Sequence, residues 1–183
     1  MEFDIKNISK EINEMLWRQH QSVSTAESCT AGRIASTITT IPGSSNYFKG
    51  GLVCYSNELK QELLKVDSEL IEENTAVCEE VVKQMVIGAN ELFKTDVAVA
   101  ISGWAGPTAP GGACGSGIVG TIWIAVGKEG NIVTKKLVED HGREKNLTIA
   151  TKEAMAMLRD YLIETLPPIE DDGQEPPVIF VED

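Results

Sequence analysis

A run of five apolar residues, from Val97 to Ile101, constrains the fold of this chain more than any other sequence feature. A strand with one face in water alternates apolar and polar side chains, whereas a continuous apolar run is typical of a strand covered on both faces. Covering both faces requires helices above and below a sheet. The run therefore predicts an α/β protein with a buried central sheet.

Segments with the spacing of helices alternate with strand-like segments along the chain. Apolar residues recur at helical spacing in four segments: 3–19, 30–40, 79–93 and 143–162. Strands are predicted at 23–27, 52–55, 97–101, 118–126 and 132–138, the last two as an antiparallel hairpin. Asn57 is predicted to cap a further short helix. Together these elements predict a three-layer α/β/α sandwich with a mixed, mostly parallel sheet.

Length and charge indicate one acidic domain with a tail. The 183 residues fit a domain at residues 1–165 and a flexible, acidic, proline-rich tail at 166–183. The net charge of −12 offers no basic face to a nucleic acid. Because no apolar run approaches the roughly 20 residues of a membrane span, and no basic signal begins the chain, we expect a cytoplasmic protein without membrane contact.

Cysteine and histidine usage argues against a metal centre. The four cysteines lack the C-x-x-C spacing of zinc sites: Cys29, Cys54, Cys78 and Cys114. This spacing disfavours a zinc knuckle or a thioredoxin-like redox pair. We expect no metal and no other cofactor. His20 and His141 show no pattern of a Ser-His-Asp relay, so hydrolytic chemistry here would use another base.

Several hydroxyl groups and one lysine lie within a short stretch punctuated by glycines: Ser28, Ser45, Tyr55 and Lys60. A serine nucleophile with a lysine base is sufficient for amide hydrolysis. To act near neutral pH, the lysine must be desolvated until its pKa falls by about 2 to 3 units from roughly 10.4. An ordinary turn serine and an exposed helical lysine are the alternative interpretations of Ser45 and Lys60.

A glycine-rich connection runs from Ser102 to Gly117. Connections of this length inside a compact domain are uncommon and often functional, and glycines allow backbone N–H groups to approach a phosphate or carboxamide oxygen. A surface loop without function is the alternative. Arg143 opens the last predicted helix, where it could bind an anion or be simply solvated. Cys29 is a rival nucleophile, because a cysteine at a helix N-terminus can have a lowered pKa.

Four ordered motifs resemble the CinA C-terminal domain family, the nicotinamide-nucleotide amidohydrolases. The motifs are Ser-Thr-Ala-Glu-Ser-Cys-Thr-Ala-Gly at 24–32, Pro-Gly-Ser-Ser at 42–45, Gly-Gly-Leu-Val-Cys-Tyr-Ser-Asn-Glu-Leu-Lys at 50–60 and Ser-Gly-Trp-Ala-Gly-Pro at 102–107. The resemblance covers about residues 5–163 and implies a three-layer α/β/α fold. It also implies a homo-oligomer that hydrolyses nicotinamide mononucleotide, its small-molecule substrate, to nicotinic acid mononucleotide and ammonia without a metal.

The resemblance further implies roles for individual residues. Ser45 would be the nucleophile and Lys60 the base, with Tyr55 supporting proton transfer. The remaining matched residues would contact the substrate: Ser28, Ser102, Gly103, Gly106 and Arg143.

The chain departs from the family pattern at three places that bear on the site. Ala31 precedes Gly32 where the family usually has two glycines, Trp104 replaces an isoleucine, and Gly117-Ile118 replaces a Lys-Pro pair. Trp104 is large enough to narrow a pocket or to stack on a pyridinium ring. A catalytically silent module that binds a nucleotide or a protein is the alternative interpretation of the whole chain.

Overall fold

The computed structural model describes the backbone of residues 2–110 and 117–168 and the side chains of residues 5–110 and 117–168. The elements, in chain order, are α1 (Glu2–Arg18), β1 (Val23–Glu27), α2 (Arg33–Thr39), a 3₁₀ turn (Ser44–Asn46), β2 (Phe48–Val53), α3 (Asn57–Leu64), α4 (Ser68–Asn74), α5 (Glu79–Phe93), β3 (Val97–Gly103), β4 (Ile122–Lys128), β5 (Asn131–Leu137) and α6 (Arg143–Thr165). Residues 169–183 of the predicted tail, and 111–116 of the glycine-rich connection with Cys114, lie outside the described residues.

The strands form one five-stranded sheet in the order β2-β1-β3-β4-β5. β1 pairs in parallel with both β2 and β3, while β4 is antiparallel to β3 and β5 is antiparallel to β4. Four of the five strands consequently run in the same direction. The prediction of a mixed, mostly parallel sheet is confirmed, as is the antiparallel hairpin.

Helices cover both faces of this sheet and create two separate cores. Helices α1, α2 and α6 pack with Val97, Val99 and Ile101 on one face, and α3, α4 and α5 pack with Ala98 and Ala100 on the other. The run that predicted a doubly covered strand is buried throughout. The three-layer α/β/α prediction is confirmed.

The structure corrects several local predictions. β2 begins at Phe48 rather than Leu52, because its central Gly50-Gly51 pair hides the strand pattern while still pairing with β1. A β-carbon at residue 51 would overlap the Thr25 hydroxyl. Helix α4 was not predicted, and α3 is capped by Ser56, whose Oγ accepts the Leu59 N–H at 3.2 Å, rather than by Asn57.

In the described part of the chain, no helix is both long enough and apolar enough to cross a bilayer. The cytoplasmic location and the homo-oligomeric state stay predictions.

Candidate active site

A cavity of about 250 Å³ opens at the carboxyl ends of β1, β2 and β3. Loops that follow parallel strands meet at this edge, where α/β proteins usually bind their ligands. Its lining consists of Ser28, Cys29, Tyr55, Asn57, Lys60, Ala76, Val77, Ser102, Gly103, Trp104, Ala105, Gly106, Thr108 and Arg143. We call it the Lys60 pocket. All of the predicted site residues except Ser45 line it.

Lys60 is the most unusual residue of the pocket, because only 1% of its surface is exposed. It lies on α3, one turn after the Ser56 cap, and its side chain points inward beneath the carboxyl end of β1. Its Nζ donates to the Cys54 carbonyl at 2.9 Å, to the Ser28 hydroxyl at 3.3 Å and to the Ser56 carbonyl at 3.4 Å. These acceptors are all neutral, so they satisfy the amine without a paired negative charge.

Burial lowers the pKa of Lys60 below its ordinary value, because removal from water disfavours the charged ammonium. The neighbouring Cys54, Cys29 and Glu58 oppose this shift. The direction agrees with what the sequence hypothesis requires of a lysine base. An exposed helical lysine, the alternative interpretation, is wrong for this residue.

Ser28 follows β1 directly and is 8% exposed. Its backbone N–H donates to the Ile101 carbonyl at 3.0 Å, which extends the β1–β3 pairing by one residue. Among the described residues, its Oγ is the one side-chain hydroxyl within hydrogen-bond distance of the Lys60 amine. The structure thus brings a serine and a lysine together, but the serine is Ser28 rather than the predicted Ser45.

Glu27 fixes the loop that carries Ser28, a role that the sequence analysis missed. Its carboxylate is buried and accepts four hydrogen bonds, from the Thr30 hydroxyl and from the N–H groups of Gly32, Ile34 and Ala35, at 2.7 to 3.1 Å. The Glu27 carbonyl also accepts the Cys54 N–H at 2.9 Å. A carboxylate at the junction of a strand and a helix N-terminus was the available sequence signal.

Ser102 and Gly103, the last two residues of β3, and Gly106, just after it, form the adjoining wall. Ser102 is buried and its hydroxyl donates to the Ala76 carbonyl at 2.7 Å. Gly103 lies so close to Ile122 of β4 that a β-carbon would overlap it, and Gly106 has a left-handed φ of 100°. Both glycines are therefore required by the backbone path of the wall.

Arg143, at the start of α6, reaches across the pocket mouth. Its guanidinium donates to the Gly106 carbonyl at 2.8 Å and to the Tyr55 hydroxyl at 3.4 Å. Tyr55 is 58% exposed, so its ring stands at the entrance. Among the described residues these two bonds use only part of the five N–H donors of Arg143, so the others can meet an incoming anion.

Asn146 positions this entrance and was also missed from the sequence. It is buried on α6, and its amide donates to the Ala105 carbonyl at 3.0 Å and to the Asp140 carboxylate at 2.9 Å. Its own carbonyl accepts the His141 N–H at 2.8 Å. A buried asparagine one turn after Arg143 has no distinctive sequence signal, because the partners lie in other loops.

Cys29 lines the pocket but is a poor nucleophile. Burial raises the pKa of its thiol to about 12, with the Glu27 charge acting in the same direction. The thiolate, which is the reactive form, is therefore scarce at neutral pH. The buried, protonated thiol therefore does not favour Cys29 as the nucleophile.

Ser45 lies at the opposite edge of the sheet. It is an exposed residue of the 3₁₀ turn that precedes β2, whereas Tyr55 and Lys60 come after that strand. Six residues of strand span roughly 17 Å or more at about 3.3 Å per residue. Within one chain, a hydrogen-bonded pair of Ser45 and Lys60 is therefore not formed. The predicted pairing of Ser45 with Lys60 fails within one chain because β2 is longer than predicted and separates the two residues.

Within residues 2–110 and 117–168, no group of three or more His, Cys, Asp and Glu side chains is arranged to hold a metal ion. The expectation of a site without metal or cofactor stays a prediction.

Comparison with known proteins identifies relatives across most of the chain. Residues 5–162 match the family described as the CinA C-terminal domain. A CinA-like protein of Cytophaga hutchinsonii is 35% identical over 162 residues, covering 88% of this chain and 38% of that protein. A CinA-like protein of Mycobacterium marinum is 46% identical over 144 residues, covering 78% and 33% respectively. The chain therefore spans about a third of the length of these curated relatives.

Solved structures of similar proteins share the fold. A competence-damaged protein (CinA) superfamily protein from Klebsiella pneumoniae has a TM-score of 0.80 and 31% identity, covering 87% of this chain and 98% of that one. The competence/damage inducible protein CihA from Agrobacterium tumefaciens has a TM-score of 0.79 and 33% identity, covering 87% and 96%.

Proposed function

The chain belongs to the CinA C-terminal domain family, and on this premise we propose that it is an amidohydrolase acting on the carboxamide of nicotinamide mononucleotide. The products are nicotinic acid mononucleotide and ammonia. The observation that carries the proposal is the buried Lys60 amine, 3.3 Å from the Ser28 hydroxyl in a pocket open to solvent. A base of lowered pKa beside a hydroxyl is the arrangement that hydroxyl nucleophiles need.

The proposed reaction begins with the uncharged Lys60 amine. It removes the proton of the Ser28 hydroxyl as the Ser28 Oγ attacks the carboxamide carbon. Backbone N–H groups of the glycine-rich wall stabilise the resulting oxyanion. The ammonium of Lys60 then protonates the leaving nitrogen, and ammonia departs to leave an ester on Ser28. Water, deprotonated by Lys60, attacks this ester and releases the carboxylate and the free serine.

The pocket mouth supports a nucleotide substrate. A guanidinium matches the geometry of a phosphate group and makes paired, charge-assisted hydrogen bonds with it. Arg143 already lies against Tyr55 and Gly106 at the entrance. We assign to Arg143 the binding of the phosphate, to Tyr55 the supporting contact at the mouth, and to Ser102 and the glycines Gly103 and Gly106 the shape of the wall.

Ser45 is the second candidate nucleophile, because the family resemblance assigns it that role. From its place at the far edge of the sheet, Ser45 could enter a Lys60 pocket only from a second copy of the chain. Geometry within the chain favours Ser28, whose hydroxyl is already hydrogen-bonded to Lys60.

The test is the release of ammonia from nicotinamide mononucleotide by the purified protein. We expect Lys60→Ala to lower kcat by about 10²- to 10⁴-fold, the usual contribution of a general base. Lys49→Ala is the matched control, since Lys49 is an exposed lysine on β2. Full activity of Lys60→Ala would rule out Lys60 as the general base. Tight binding of the nucleotide by wild-type protein without ammonia release would instead support the silent binding module.

A further inference from the structure

Trp104 forms part of the wall of the Lys60 pocket. It follows the end of β3, and its backbone is bonded on both sides, with its N–H donating to the Thr121 carbonyl at 2.9 Å and its carbonyl accepting the Gly120 N–H at 2.8 Å. The indole is half-buried and lines the same cavity as Ser28 and Lys60. These bonds fix the backbone that carries the indole, so less of the pocket wall has to be ordered when a ligand binds.

The indole is backed by Gly117, the residue that departs from the family pattern in the neighbouring segment. A β-carbon at residue 117 would lie 3.0 Å from Cζ3 of Trp104, closer than ordinary packing allows. The Gly117 N–H donates to the Pro110 carbonyl at 3.0 Å, which holds the two sides of the connection together. The two departures, a tryptophan and a glycine, therefore form one packed unit, in which the missing side chain makes room for the ring.

From this arrangement we propose that the indole of Trp104 is the binding surface for the substrate's pyridinium ring, so that the site selects planar, cationic aromatic carboxamides. The inference rests on the proposed function and names the ring chemistry that the same pocket accepts. The face of an indole carries partial negative charge and attracts a cation placed above it, most strongly where water is excluded. A neutral ring of the same size gains only the apolar contact.

The selectivity also follows from the charges in the pocket. Lys60 directs its amine to neutral oxygens below the cavity, and Arg143 lies at the mouth, where it can meet a phosphate. Neither group offers attraction to a positively charged ring. Trp104 supplies that attraction from the lining of the same cavity.

The experiment measures binding rather than turnover, using nicotinic acid mononucleotide, which keeps the pyridinium ring and is not a substrate for deamidation. Affinity is measured by titration calorimetry and quenching by tryptophan fluorescence, with this ligand and with its reduced form, dihydronicotinic acid mononucleotide, which keeps the carboxylate but has an uncharged ring. We expect wild-type protein to bind the pyridinium ligand more tightly and to show quenching. Trp104→Ile should weaken that binding by about tenfold and abolish the quenching, and Trp104→Phe should fall between.

Trp17→Phe is the matched control, because Trp17 lies on α1 and lines a different cavity. It should leave both affinity and quenching by the pyridinium ligand unchanged. Equal affinity of wild type and Trp104→Ile, equal affinity for charged and uncharged rings, or no binding by wild type would each overturn the inference.

Turnover separates this inference from the proposed function. If ammonia is released and Trp104→Ile leaves KM unchanged, the stacking role is wrong while the amidohydrolase stands. If binding depends on Trp104 and the charged ring but no ammonia is released, the proposed reaction is wrong and the ring site stands.

Discussion

The two edges of the parallel part of the sheet hold their polar groups in different ways. At the amino-terminal edge, the Asp96 carboxylate accepts the Ser22 N–H at 2.8 Å and the Ser22 hydroxyl at 2.6 Å. These bonds join the starts of β1 and β3. At the carboxyl edge, Lys60 is buried against neutral oxygens, and Arg143 lies at an open mouth. Both charged groups are hydrogen-bonded to neutral partners, but Asp96 is exposed to water whereas Lys60 is buried.

This difference separates a structural polar cluster from a chemical one. An amine that is buried without a carboxylate partner carries a desolvation cost, and such costs are typical of functional sites. The carboxylate of Asp96, in contrast, does no more than join two strands. We expect substitutions at the carboxyl edge to affect catalysis and substitutions at the amino-terminal edge to affect stability alone.

The largest expected effect comes from the two serines at opposite edges of the sheet, Ser28 after β1 and Ser45 before β2. Ser28→Ala should lower kcat for ammonia release by about 10³-fold or more, because it removes the attacking oxygen. Ser45→Ala should remain within about twofold of wild type, since surface substitutions away from the site have little effect. Steady-state assays on both variants test the comparison directly.

The opposite result would show that the site is shared between two copies of the chain. If Ser45→Ala is inactive and mixing it with inactive Lys60→Ala restores activity, Ser45 enters the pocket from a partner. If the mixture stays inactive, complementation between copies does not occur.

A smaller effect is expected from the carboxylates at the two edges. Glu27→Gln should destabilise the protein by about 2 kcal/mol, because an NH₂ group would face backbone donors in a buried position. It should also lower kcat, since the loop that holds Ser28 loses its anchor. Asp96→Asn is the matched change at the other edge. Urea unfolding and steady-state kinetics should show lower stability with unchanged kcat for Asp96→Asn, and a kcat loss there would break the comparison.

Lys60 should also make the stability of the protein depend on pH. Its folded pKa is lowered by burial, while the unfolded chain has the ordinary value near 10.4. Between the two values the unfolded state binds the extra proton, so the free energy of unfolding rises with pH. At a pH below both pKa values, Lys60 is charged in the folded and the unfolded protein, and the cost of burying the ammonium is fully present.

The measurement compares Lys60→Met with wild type by urea unfolding at about pH 7 and pH 9.5. The stability of the variant relative to wild type should fall as pH rises. The reason is that the wild type loses the cost of burying the charged Lys60 ammonium as the amine becomes uncharged. Lys49→Met, an exposed control on β2, should show a constant difference. A pH-independent difference for Lys60→Met would mean that its folded pKa is not lowered.

The smallest effect is expected at Ala31, between Ser28 and α2. Its φ of 50° lies in the left-handed region, which glycine adopts more easily than alanine. Ala31→Gly relieves this strain but increases the freedom of the unfolded chain, so the two terms nearly cancel. We expect a stability change within about 1 kcal/mol and an unchanged KM, measured by thermal unfolding and steady-state kinetics.

Much of the fold could be predicted because it depends on local patterns. The apolar run at 97–101 and the helical spacing at 79–93 each follow from one stretch of sequence, and both predictions agree with the structure. β2 was placed too late because Gly50-Gly51 contributes no side chains to a pattern. The structure brings the predicted site residues other than Ser45 together at the carboxyl edge, and their roles stay predictions. Ser45 lies apart from them because its distance from Lys60 depends on the length of β2.

The sequence by itself determined the layers of the sandwich and the residue types available for chemistry, because periodicity and composition act locally. The tertiary structure decided which hydroxyl meets the amine, since Ser28 and Lys60 are separated by 32 positions in sequence and meet only when α3 packs beneath the end of β1. It also decided that Lys60 loses its water, that Cys29 keeps its proton and that Gly117 makes room for Trp104. Each of these depends on how densely other parts of the chain surround the residue, and the sequence around the residue does not contain that information.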